Sequence, residues 1–364
     1  MNHETYMSLA LKLAEAGKGQ TSPNPLVGAV VVSNGEIAGM GAHLKAGTPH
    51  AEVHAIQMAG EKAFGSTLYV TLEPCNHTGR TPPCTEKIIQ SGIRKVVIGA
   101  KDPNPLVSGK GIARLKERGI EVVCGILEDR CNQLNEVFNH YIVHKRPFVI
   151  LKGAVTLDGK IASYSGNSRW ITGKEARMDV HSLRNEVDAI LVGVGTIIHD
   201  NPKLTTRLPE GGKNPIRIIL DSTLRIPLES HVVTDHEADT WIFTSVKSPI
   251  EKREQLEEKG VKLYLTGNGE KINIHHALEV MGSQGITSLL VEGGSEINGS
   301  FLEEKLINKL VLYIAPKIIG GANARPFIGG AGFSLMSEAV PIERIQIDEF
   351  AGDIRIMGYP KYKT

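Results

Sequence analysis

The sequence has no apolar run long enough to cross a membrane. The longest run, "AILVGVGTII" at 189–198, is about half the length that a transmembrane helix needs. Residues 1–17 predict an amphipathic helix, with Glu4 early and Lys12 interrupting its apolar part, and they lack the form of a signal peptide. We therefore expect a cytoplasmic protein whose four cysteines are thiols or metal ligands and not disulfides.

A surplus of charge of one sign is also missing. The chain has 41 Lys and Arg against 40 Asp and Glu, which gives a formal charge of +1. Proteins that bind a nucleic-acid backbone usually carry a basic surplus, because neutralising phosphates supplies most of their affinity. The balance therefore argues against a large RNA or DNA partner. Low-complexity tracts are absent as well, which indicates an ordinary globular protein.

The sequence does contain a long alternation of strand and helix patterns. With 364 residues, the chain exceeds the usual size of a single hydrophobic core. We predict two α/β domains, 1–145 and 146–364, with the boundary near Arg146-Pro147. Strands that alternate with helices in the first domain are typical of a mostly parallel sheet. In the second domain, strands rich in Val, Ile and Leu predict a sheet that is buried on both faces.

Three residues have the spacing of a zinc site. His50 follows Thr48 and Pro49, which predict the N-cap and the first residue of a helix. Cys75 directly follows a predicted strand. Cys84 follows two prolines at the predicted start of another helix, where the helix dipole favours a thiolate. One imidazole and two thiolates form a ligand set that catalytic zinc uses.

These three ligands would leave the fourth position of a tetrahedral zinc free for water, which distinguishes a catalytic site from a structural one. Zinc lowers the pKa of bound water to about 7, so a hydrolytic nucleophile is available at neutral pH. Glu52 lies two residues after His50, so its carboxylate points elsewhere and can carry protons. We predict that His50, Cys75 and Cys84 bind one zinc ion and that Glu52 is catalytic.

Two alternatives for this cluster stay open. A structural zinc would need a fourth protein ligand, which His77 or His54 would have to provide. The pair of His50 and His54 invites comparison with the H-E-x-x-H zinc proteases, but here Glu52 is displaced by one position. The order H-x-E, then P-C and a second cysteine, is instead typical of zinc nucleobase deaminases.

The wider sequence identifies a branch of these deaminases. Most of them space the two cysteines by two residues, whereas eight residues separate Cys75 from Cys84. "SPNPLVGAVVV" (22–32), "TLEPCNHTGRTPPC" (71–84) and "DPNPLVSGKGI" (102–112) closely resemble the deaminase half of the bifunctional riboflavin-biosynthesis deaminase/reductase family. The resemblance spans nearly all of the first domain and implies a cytidine-deaminase-like α/β/α layered fold.

The resemblance also implies a substrate for the first domain. This is 2,5-diamino-6-ribosylamino-4(3H)-pyrimidinone 5′-phosphate, which would be hydrolysed at its 2-amino carbon to ammonia and the uracil derivative. Asn24 suits a polar edge of the ring. His43, and His77 with Arg80 between the two cysteines, suit the ribose phosphate. The alternative interpretation of these three basic residues is a solvated loop.

The second domain has two glycine-rich strand ends. In "LLVEGGSEINGSFL" (289–302), a strand ends at Glu292 and a Gly-Gly-Ser turn leads into a helix, an arrangement that can bind a phosphate. It does not match G-x-G-x-x-G, so the usual Rossmann fingerprint is absent. The other segment is "ILVGVGTIIHDNPKLTTR" (190–207). We expect the loop beyond its strand to carry Thr196, Asp200 and Arg207.

With "LKGAVTLDGKIA" (151–162) and "APKIIGG" (315–321), these segments are similar to the reductase half of the same family over about 146–350. The resemblance implies a dihydrofolate-reductase-like α/β fold, NADPH as cofactor, and reduction of ribosylamino to ribitylamino by hydride transfer to C1′. It assigns to the cofactor Ala154, Trp170, Thr196, Asp200, Ser222, Gly294, Ser295, Glu296, Ile297, Asn298, Gly299 and Ser300. It assigns to the substrate Ser168, Arg184, Leu204, Arg207 and Glu292.

Residue chemistry suggests roles for some of these positions. Arg184 and Arg207 can grip the substrate phosphate through bidentate hydrogen bonds. Lys152 and Asp200 are predicted to be catalytic, because Lys152 can polarise or protonate the sugar oxygen and Asp200 can handle a proton. A surface lysine is the alternative for Lys152, and core packing is the alternative for Trp170.

The leading interpretation is therefore a bifunctional enzyme, with zinc hydrolysis followed by NADPH-dependent reduction of a small phosphorylated pyrimidine. One alternative is a zinc deaminase of a polynucleotide, of the tRNA type, with a non-catalytic nucleotide-binding module. Another is a zinc-stabilised nucleotide-binding module without catalysis. We expect no membrane or nucleic-acid partner. A homo-oligomer, dimer or tetramer, is expected because apolar edge strands in the second domain suit subunit pairing.

Overall fold

The chain forms two compact units, Met1–Arg146 and Pro147–Thr364, in a computed structural model. The structure describes residues 2–76, 82–105, 107–267, 269 and 271–363. Within these ranges, every helix is too short or too polar to span a lipid bilayer.

The first unit is built around a five-stranded sheet in the order β2-β1-β3-β4-β5. Its elements are α1 (His3–Glu15), β1 (Gly28–Ser33), β2 (Glu36–Ala42), α2 (Ala51–Ala59), a 3-10 turn (Gly60–Ala63), β3 (Thr67–Leu72), α3 (Cys84–Gln90), β4 (Lys95–Ala100), α4 (Lys110–Glu117), β5 (Glu121–Cys124), α5 (Glu128–Leu134) and α6 (Glu136–His144). Strands β3, β4 and β5 are parallel, but β1 is antiparallel to both of its neighbours. The predicted parallel pairing therefore holds for β3, β4 and β5, while β1 pairs antiparallel with both β2 and β3.

Alternate side chains of β1 pack on opposite faces of this sheet, as the period of a strand requires. Ala29 and Val31 belong to a cluster with residues of α2, α3 and α4. Val30 and Val32 belong to a second cluster, with residues of α1. The first unit is thus an α/β/α sandwich, and its helices hold the loops that follow the strands.

The second unit contains a nine-stranded sheet in the order β11-β10-β9-β8-β12-β6-β13-β16-β15 and a small two-stranded sheet, β14-β7. Its elements are β6 (Phe148–Thr156), β7 (Lys160–Ala162), α7 (Lys174–Glu186), β8 (Ala189–Gly193), α8 (Val194–Asp200), β9 (Ile216–Leu220), α9 (His231–Thr234), β10 (Thr240–Thr244), α10 (Ile250–Glu258), β11 (Lys262–Leu265), α11 (Ile274–Ser283), β12 (Ser288–Val291), α12 (Ser295–Glu303), β13 (Lys309–Ala315), β14 (Arg325–Pro326), a 3-10 turn (Met336–Glu338), β15 (Ile342–Phe350) and β16 (Asp353–Pro360). The seven strands from β11 to β13 are parallel.

The predicted burial on both faces holds for the central strands. In β8, Ala189 and Leu191 face one apolar cluster, while Ile190 and Val192 face another. At the far end, β13, β16 and β15 pair antiparallel, and most of β15 is exposed. The prediction of a sheet buried on both faces was therefore wrong at this edge.

Candidate active sites

The three predicted metal ligands lie together in the first unit. Nδ1 of His50 is 3.1 Å from Sγ of Cys84 and 3.6 Å from Sγ of Cys75. All three atoms lie within 4.8 Å of one another. Tetrahedral coordination with Zn–N of about 2.0 Å and Zn–S of about 2.3 Å puts ligand atoms roughly 3.5 Å apart. The donor set and its spacing therefore fit a zinc ion.

Local structure explains how each ligand reaches this point. Helix α2 begins at Ala51, so His50 is its N-cap, with an extended backbone and a side chain that makes no capping bond. The prediction of Thr48 as the N-cap was wrong by two residues, and the imidazole turns to the cysteines instead. Cys84 is the first residue of α3, and its free N–H donates to Sγ of Cys75 at 3.4 Å.

The cluster favours negative charge on sulfur before any metal binds. A hydrogen bond from the Cys84 thiol, helped by His50, lowers the pKa of Cys75 to about 4 against the opposing effect of burial. The Cys84 thiol is the donor in this pair, so its own pKa is raised. A bound cation would hold both sulfurs as thiolates.

Glu52 lies in the first turn of α2 and is only 3% exposed. Burial, followed by the charge on Cys75, raises the pKa of this carboxyl group. Its Oε2 atom has no hydrogen-bond partner within the part of the chain that the structure describes. A buried, uncompensated carboxylate takes up a proton readily, which is what a general acid–base group beside a metal must do.

The structure also bears on the structural-zinc alternative. Among the described residues, no fourth His, Cys, Asp or Glu joins the cluster, and His54 is not brought to it. The other candidate ligand, His77, lies outside the described residues, as does Arg80.

A cavity of about 500 Å³ opens over His50, Glu52 and Cys75. Asn24 and His43 line it, and the Asn24 amide donates to Nε2 of His43 at 3.1 Å. Nδ1 of His43 in turn lies 3.3 Å from the carbonyl of Pro49. Burial lowers the pKa of His43, which keeps its ring neutral and suited to accept from Asn24. Both ring nitrogens are thus engaged, and His43 orients Asn24.

Other cavity residues were missed by the sequence reasoning. Glu73, Asp102 and Asn104 line the cavity. They lie in segments that carry the family resemblance, which was the available signal. One wall comes from α6 through Phe138, Tyr141 and Ile142, and no motif marked these residues.

In the second unit, Glu292 is the centre of a charged cluster. Its carboxylate accepts a bidentate pair of hydrogen bonds from Arg184, at 2.8 and 3.0 Å. Nζ of Lys152 lies 3.5 Å from the same carboxylate. Arg184 also donates to the carbonyl of Thr205 at 3.0 Å. The bidentate face of Arg184 is therefore occupied by Glu292, and the role of Arg184 in gripping a phosphate stays a prediction.

The pKa of Glu292 follows from its pairing with Arg184 and Lys152. Burial acts to raise the pKa of Glu292, whose side chain is 12% exposed, but Arg184 and Lys152 outweigh it and hold the pKa at about 2. Glu292 is consequently a carboxylate at any physiological pH. An ionised carboxylate has no proton to donate, which disfavours Glu292 as the proton donor of a reductase.

Arg207 differs from Arg184 because it has no hydrogen bond or ion pair with any residue that the structure describes. It is exposed and belongs to the segment after Leu204, which is buried and has a left-handed φ of 54°. Burial and the neighbouring Arg184 lower the pKa of Arg207. An unpaired guanidinium beside a second cation is suited to bind an anion.

His181 is a further residue that the sequence reasoning missed. It lies one helical turn before Arg184 on α7, and its Nδ1 is buried without a partner among the described residues. Desolvation, then the charges of Arg184 and Arg207, lower the pKa of His181 to about 4.

The predicted cofactor positions lie mainly at the carboxyl ends of three neighbouring parallel strands, β9, β8 and β12. Ser222 follows β9, and Gly294 follows β12 as the N-cap of α12, with no side chain capping that helix. Thr196 and Asp200 follow β8 but lie on α8, which corrects the predicted loop. In open α/β sheets, ligands bind at this edge of the strands.

The remaining cofactor candidates are more scattered. Ala154 is half-buried in β6, and Ser168 lies shortly before α7. Trp170 is 64% exposed, so the core-packing alternative is excluded. Ser295, Glu296, Ile297 and Ser300 lie on α12, where Asn298 and Gly299 are fully buried. The Asn298 amide donates to the carbonyl of Phe327 at 2.8 Å.

Comparison with known proteins agrees with both halves. The cytidine and deoxycytidylate deaminase zinc-binding region matches residues 1–100, and the RibD C-terminal domain matches residues 147–350. Riboflavin biosynthesis protein RibD of Bacillus amyloliquefaciens is 48% identical over 98% of this chain and 96% of its own length. The corresponding protein of Escherichia coli (strain K12) is 39% identical over 97% of this chain and 98% of its own.

Solved structures give the same result. Acinetobacter baumannii RibD superposes with a TM-score of 0.89 at 37% identity, covering 99% of both chains. A Thermotoga maritima protein described as a diaminohydroxyphosphoribosylaminopyrimidine deaminase/5-amino-6-(5-phosphoribosylamino)uracil reductase has a TM-score of 0.87 at 39% identity, with the same coverage.

The fold and sites together define a two-domain enzyme, a zinc-binding deaminase joined to a reductase. The chain belongs to the RibD family of riboflavin biosynthesis proteins. The predicted fold class, the bifunctional deaminase and reductase activity, and the cofactors zinc and NADPH are confirmed.

Proposed function

We propose that the chain catalyses two consecutive steps on one small substrate. The first hydrolyses the 2-amino group of 2,5-diamino-6-ribosylamino-4(3H)-pyrimidinone 5′-phosphate. The second reduces the ribosylamino group of the product, giving 5-amino-6-ribitylamino-uracil 5′-phosphate. The observation that carries the proposal is the cluster of His50, Cys75 and Cys84 beside the buried Glu52, in a cavity of about 500 Å³. The name of the Thermotoga maritima relative supports the substrate.

In the deaminase site, zinc held by His50, Cys75 and Cys84 would supply the Lewis acidity that makes water reactive near neutral pH. Glu52 takes the proton of the attacking water and returns it to the departing amine, since its raised pKa suits both transfers. Asn24, oriented by His43, hydrogen-bonds an edge of the pyrimidine. His77 and Arg80 remain our candidates for the ribose phosphate.

In the reductase site, NADPH bound along the carboxyl edge of β9, β8 and β12 would supply the hydride. Lys152 is our proton donor to the sugar oxygen, because Glu292 beside it is held ionised and has no proton to give. Glu292 and Arg184 orient the ring-opened sugar. Asp200 is exposed at the end of α8 and contacts the cofactor or handles a proton there.

Arg207 binds the substrate phosphate of the reductase reaction in this proposal, and Ser168 and Leu204 are our other candidates for substrate contact. Its guanidinium is exposed and unpaired among the described residues, whereas Arg184 is committed to Glu292. Arg225 is our candidate for the 2′-phosphate of NADPH, because an arginine near the adenosine ribose is the usual device for that selection.

We also propose a homo-oligomer in the cytoplasm, with no membrane and no nucleic acid as partner. Strand β15 forms the edge of the nine-stranded sheet, and Ile345 and Ile347 on it are 57% and 65% exposed. An exposed apolar edge strand is a surface that subunit pairing would cover. The alternative of a tRNA-type deaminase is not favoured, since the second half is a reductase domain.

The test is a coupled assay on the full-length protein with its zinc content measured. The diaminopyrimidine substrate is supplied first without NADPH, and ammonia release is followed. NADPH is then added, and its consumption is expected only after deamination. NADPH consumption without ammonia release, or no ammonia from a zinc-loaded protein, would contradict the proposed order.

A further inference from the structure

Glu73 is a buried acid beside the deaminase cavity, and nothing in the proposed chemistry uses it. It follows β3 directly and lies two residues before Cys75. Within the described residues, its carboxylate accepts four backbone N–H groups and no side-chain donor. Gly109 and Asp102 donate to Oε2 at 3.0 and 3.4 Å. Gly111 and Ile112 donate to Oε1 at 3.0 and 3.2 Å.

Three of these four hydrogen bonds indicate only a structural role for Glu73. Gly109 is the N-cap of α4, and Gly111 and Ile112 lie in its first turn. Their N–H groups have no partner inside the helix, so a carboxylate at this position caps α4 and interacts favourably with its dipole.

The fourth donor points to a role in substrate binding. Asp102 lines the cavity together with Asn104, and the N–H of Asn104 donates to the Asp102 side chain at 2.8 Å. The same oxygen of Glu73 thus holds both the start of α4 and the backbone of a residue that faces the substrate. Glu73 itself also lines the cavity.

We propose that Glu73 is a positioning residue of the deaminase, whose carboxylate holds Asp102 against the cavity so that the pyrimidine is bound in register with the metal and Glu52. The inference rests on the proposed deaminase function. A glutamine at this position has nearly the same shape, but its N–H₂ group replaces one of the two acceptor oxygens. The backbone N–H groups that donate to this oxygen would then lose their acceptor.

An effect of the Glu73 substitution on the zinc ligands must be distinguished from its effect on Asp102. A Cβ on Gly111 would lie 2.1 Å from the carbonyl of Pro74, so α4 touches the backbone just before Cys75. A displaced α4 could therefore disturb zinc instead of substrate. Zinc content and kcat report on the metal, whereas KM reports on the position of Asp102.

The test compares Glu73→Gln with the wild type as full-length, zinc-loaded proteins. We expect KM for the diaminopyrimidine to rise roughly tenfold, equivalent to one lost charge-assisted hydrogen bond, with kcat within threefold and zinc unchanged. The matched control is Glu86→Gln, which removes the Arg114 ion pair between α3 and α4 and leaves Asp102 untouched. Its KM should stay at the wild-type value.

A double-mutant cycle with Asp102→Ala tests the route of the effect. If Glu73 acts through Asp102, the two increases in KM will not multiply in the double variant. Glu73→Asp takes the place of Glu73→Gln in the cycle if the glutamine variant does not fold. An unchanged KM, independent effects, or a loss of zinc together with kcat would each overturn the inference. Absence of ammonia release by the wild type would instead refute the proposed function.

Discussion

Glu52 at the deaminase site and Glu292 at the reductase site are carboxylates with opposite properties. Glu52 is 3% exposed and has an oxygen without a partner among the described residues, so burial raises its pKa. Glu292 faces Arg184 and Lys152, which overcome burial and hold its pKa at about 2. One site keeps a carboxylate ready to accept a proton, and the other keeps it permanently charged.

The difference matches the chemistry that each half must perform. Hydrolytic deamination needs a group that takes and returns a proton within one turnover. Hydride transfer to a sugar phosphate needs anion binding, fixed orientation of hydroxyl groups and one proton donor. A fixed ion pair serves orientation, because both partners lose their freedom to move. The environment of each glutamate, and not its residue type, decides its role.

The largest effect is expected for Glu52→Gln, which tests the role of Glu52 as the proton carrier. The amide keeps the shape of the side chain but cannot carry the proton, so ammonia release should fall by roughly 1,000-fold or more. Zinc content should stay near that of the wild type, because Glu52 is not among the ligand atoms. Reduction of the deaminated product by the same preparation is the internal control. If ammonia release persists above a tenth of the wild-type rate, Glu52 is not the proton carrier.

A second change tests the opposite glutamate. Glu292→Gln leaves Arg184 and Lys152 without their counter-charge, so we expect kcat/KM of the reductase to fall roughly 100-fold while deamination is unaffected. Reductase kinetics and ammonia release are measured on one preparation. Glu304→Gln, which removes an exposed pair with His275, is the matched control and should change neither activity. Wild-type reduction by a folded Glu292→Gln protein would restrict Glu292 to a structural role.

The two sites also differ in how far the sequence could predict them. The zinc ligands and Glu52 lie within 35 residues, from His50 to Cys84, and the chemistry of each is visible from its spacing in the chain. The charged cluster of the reductase site consists of Lys152, Arg184 and Glu292, which are up to 140 residues apart in the chain. Residue type alone could not place them together. The family resemblance assigned Arg184 and Glu292 to the substrate, and the chemistry of its side chain suggested Lys152.

Errors in the predicted fold have physical causes. Helix α2 begins two residues late because His50 is drawn to the cysteines and takes an extended backbone. Thr196 and Asp200 lie on α8 because the helix starts directly at the end of β8, without the loop that a glycine-rich segment suggests. The exposure of β15 follows from its place at an open sheet edge, which the composition of one strand cannot reveal.

The smallest expected effect concerns His181, which lies near the two cations Arg184 and Arg207. Its pKa is about 4 in the folded protein, below its ordinary value of 6.5, because burial and the charges of Arg184 and Arg207 oppose protonation. The unfolded chain therefore binds a proton first as the pH falls. The contribution of neutral His181 to stability is complete above pH 6.5 and is lost as the pH falls from about 6.5 toward 4.

His181→Gln removes this titration while keeping a polar side chain. Relative to the wild type, the variant should gain stability as the pH is lowered from 7 to 5, which a comparison of melting temperatures at the two pH values measures. His199→Gln, on the exposed surface of α8, is the control and should show no such difference. If the two variants respond to pH alike, the cationic neighbours of His181 do not act on it. The electrostatic difference between the reductase site and the deaminase site would then be limited to the ion pair of Glu292.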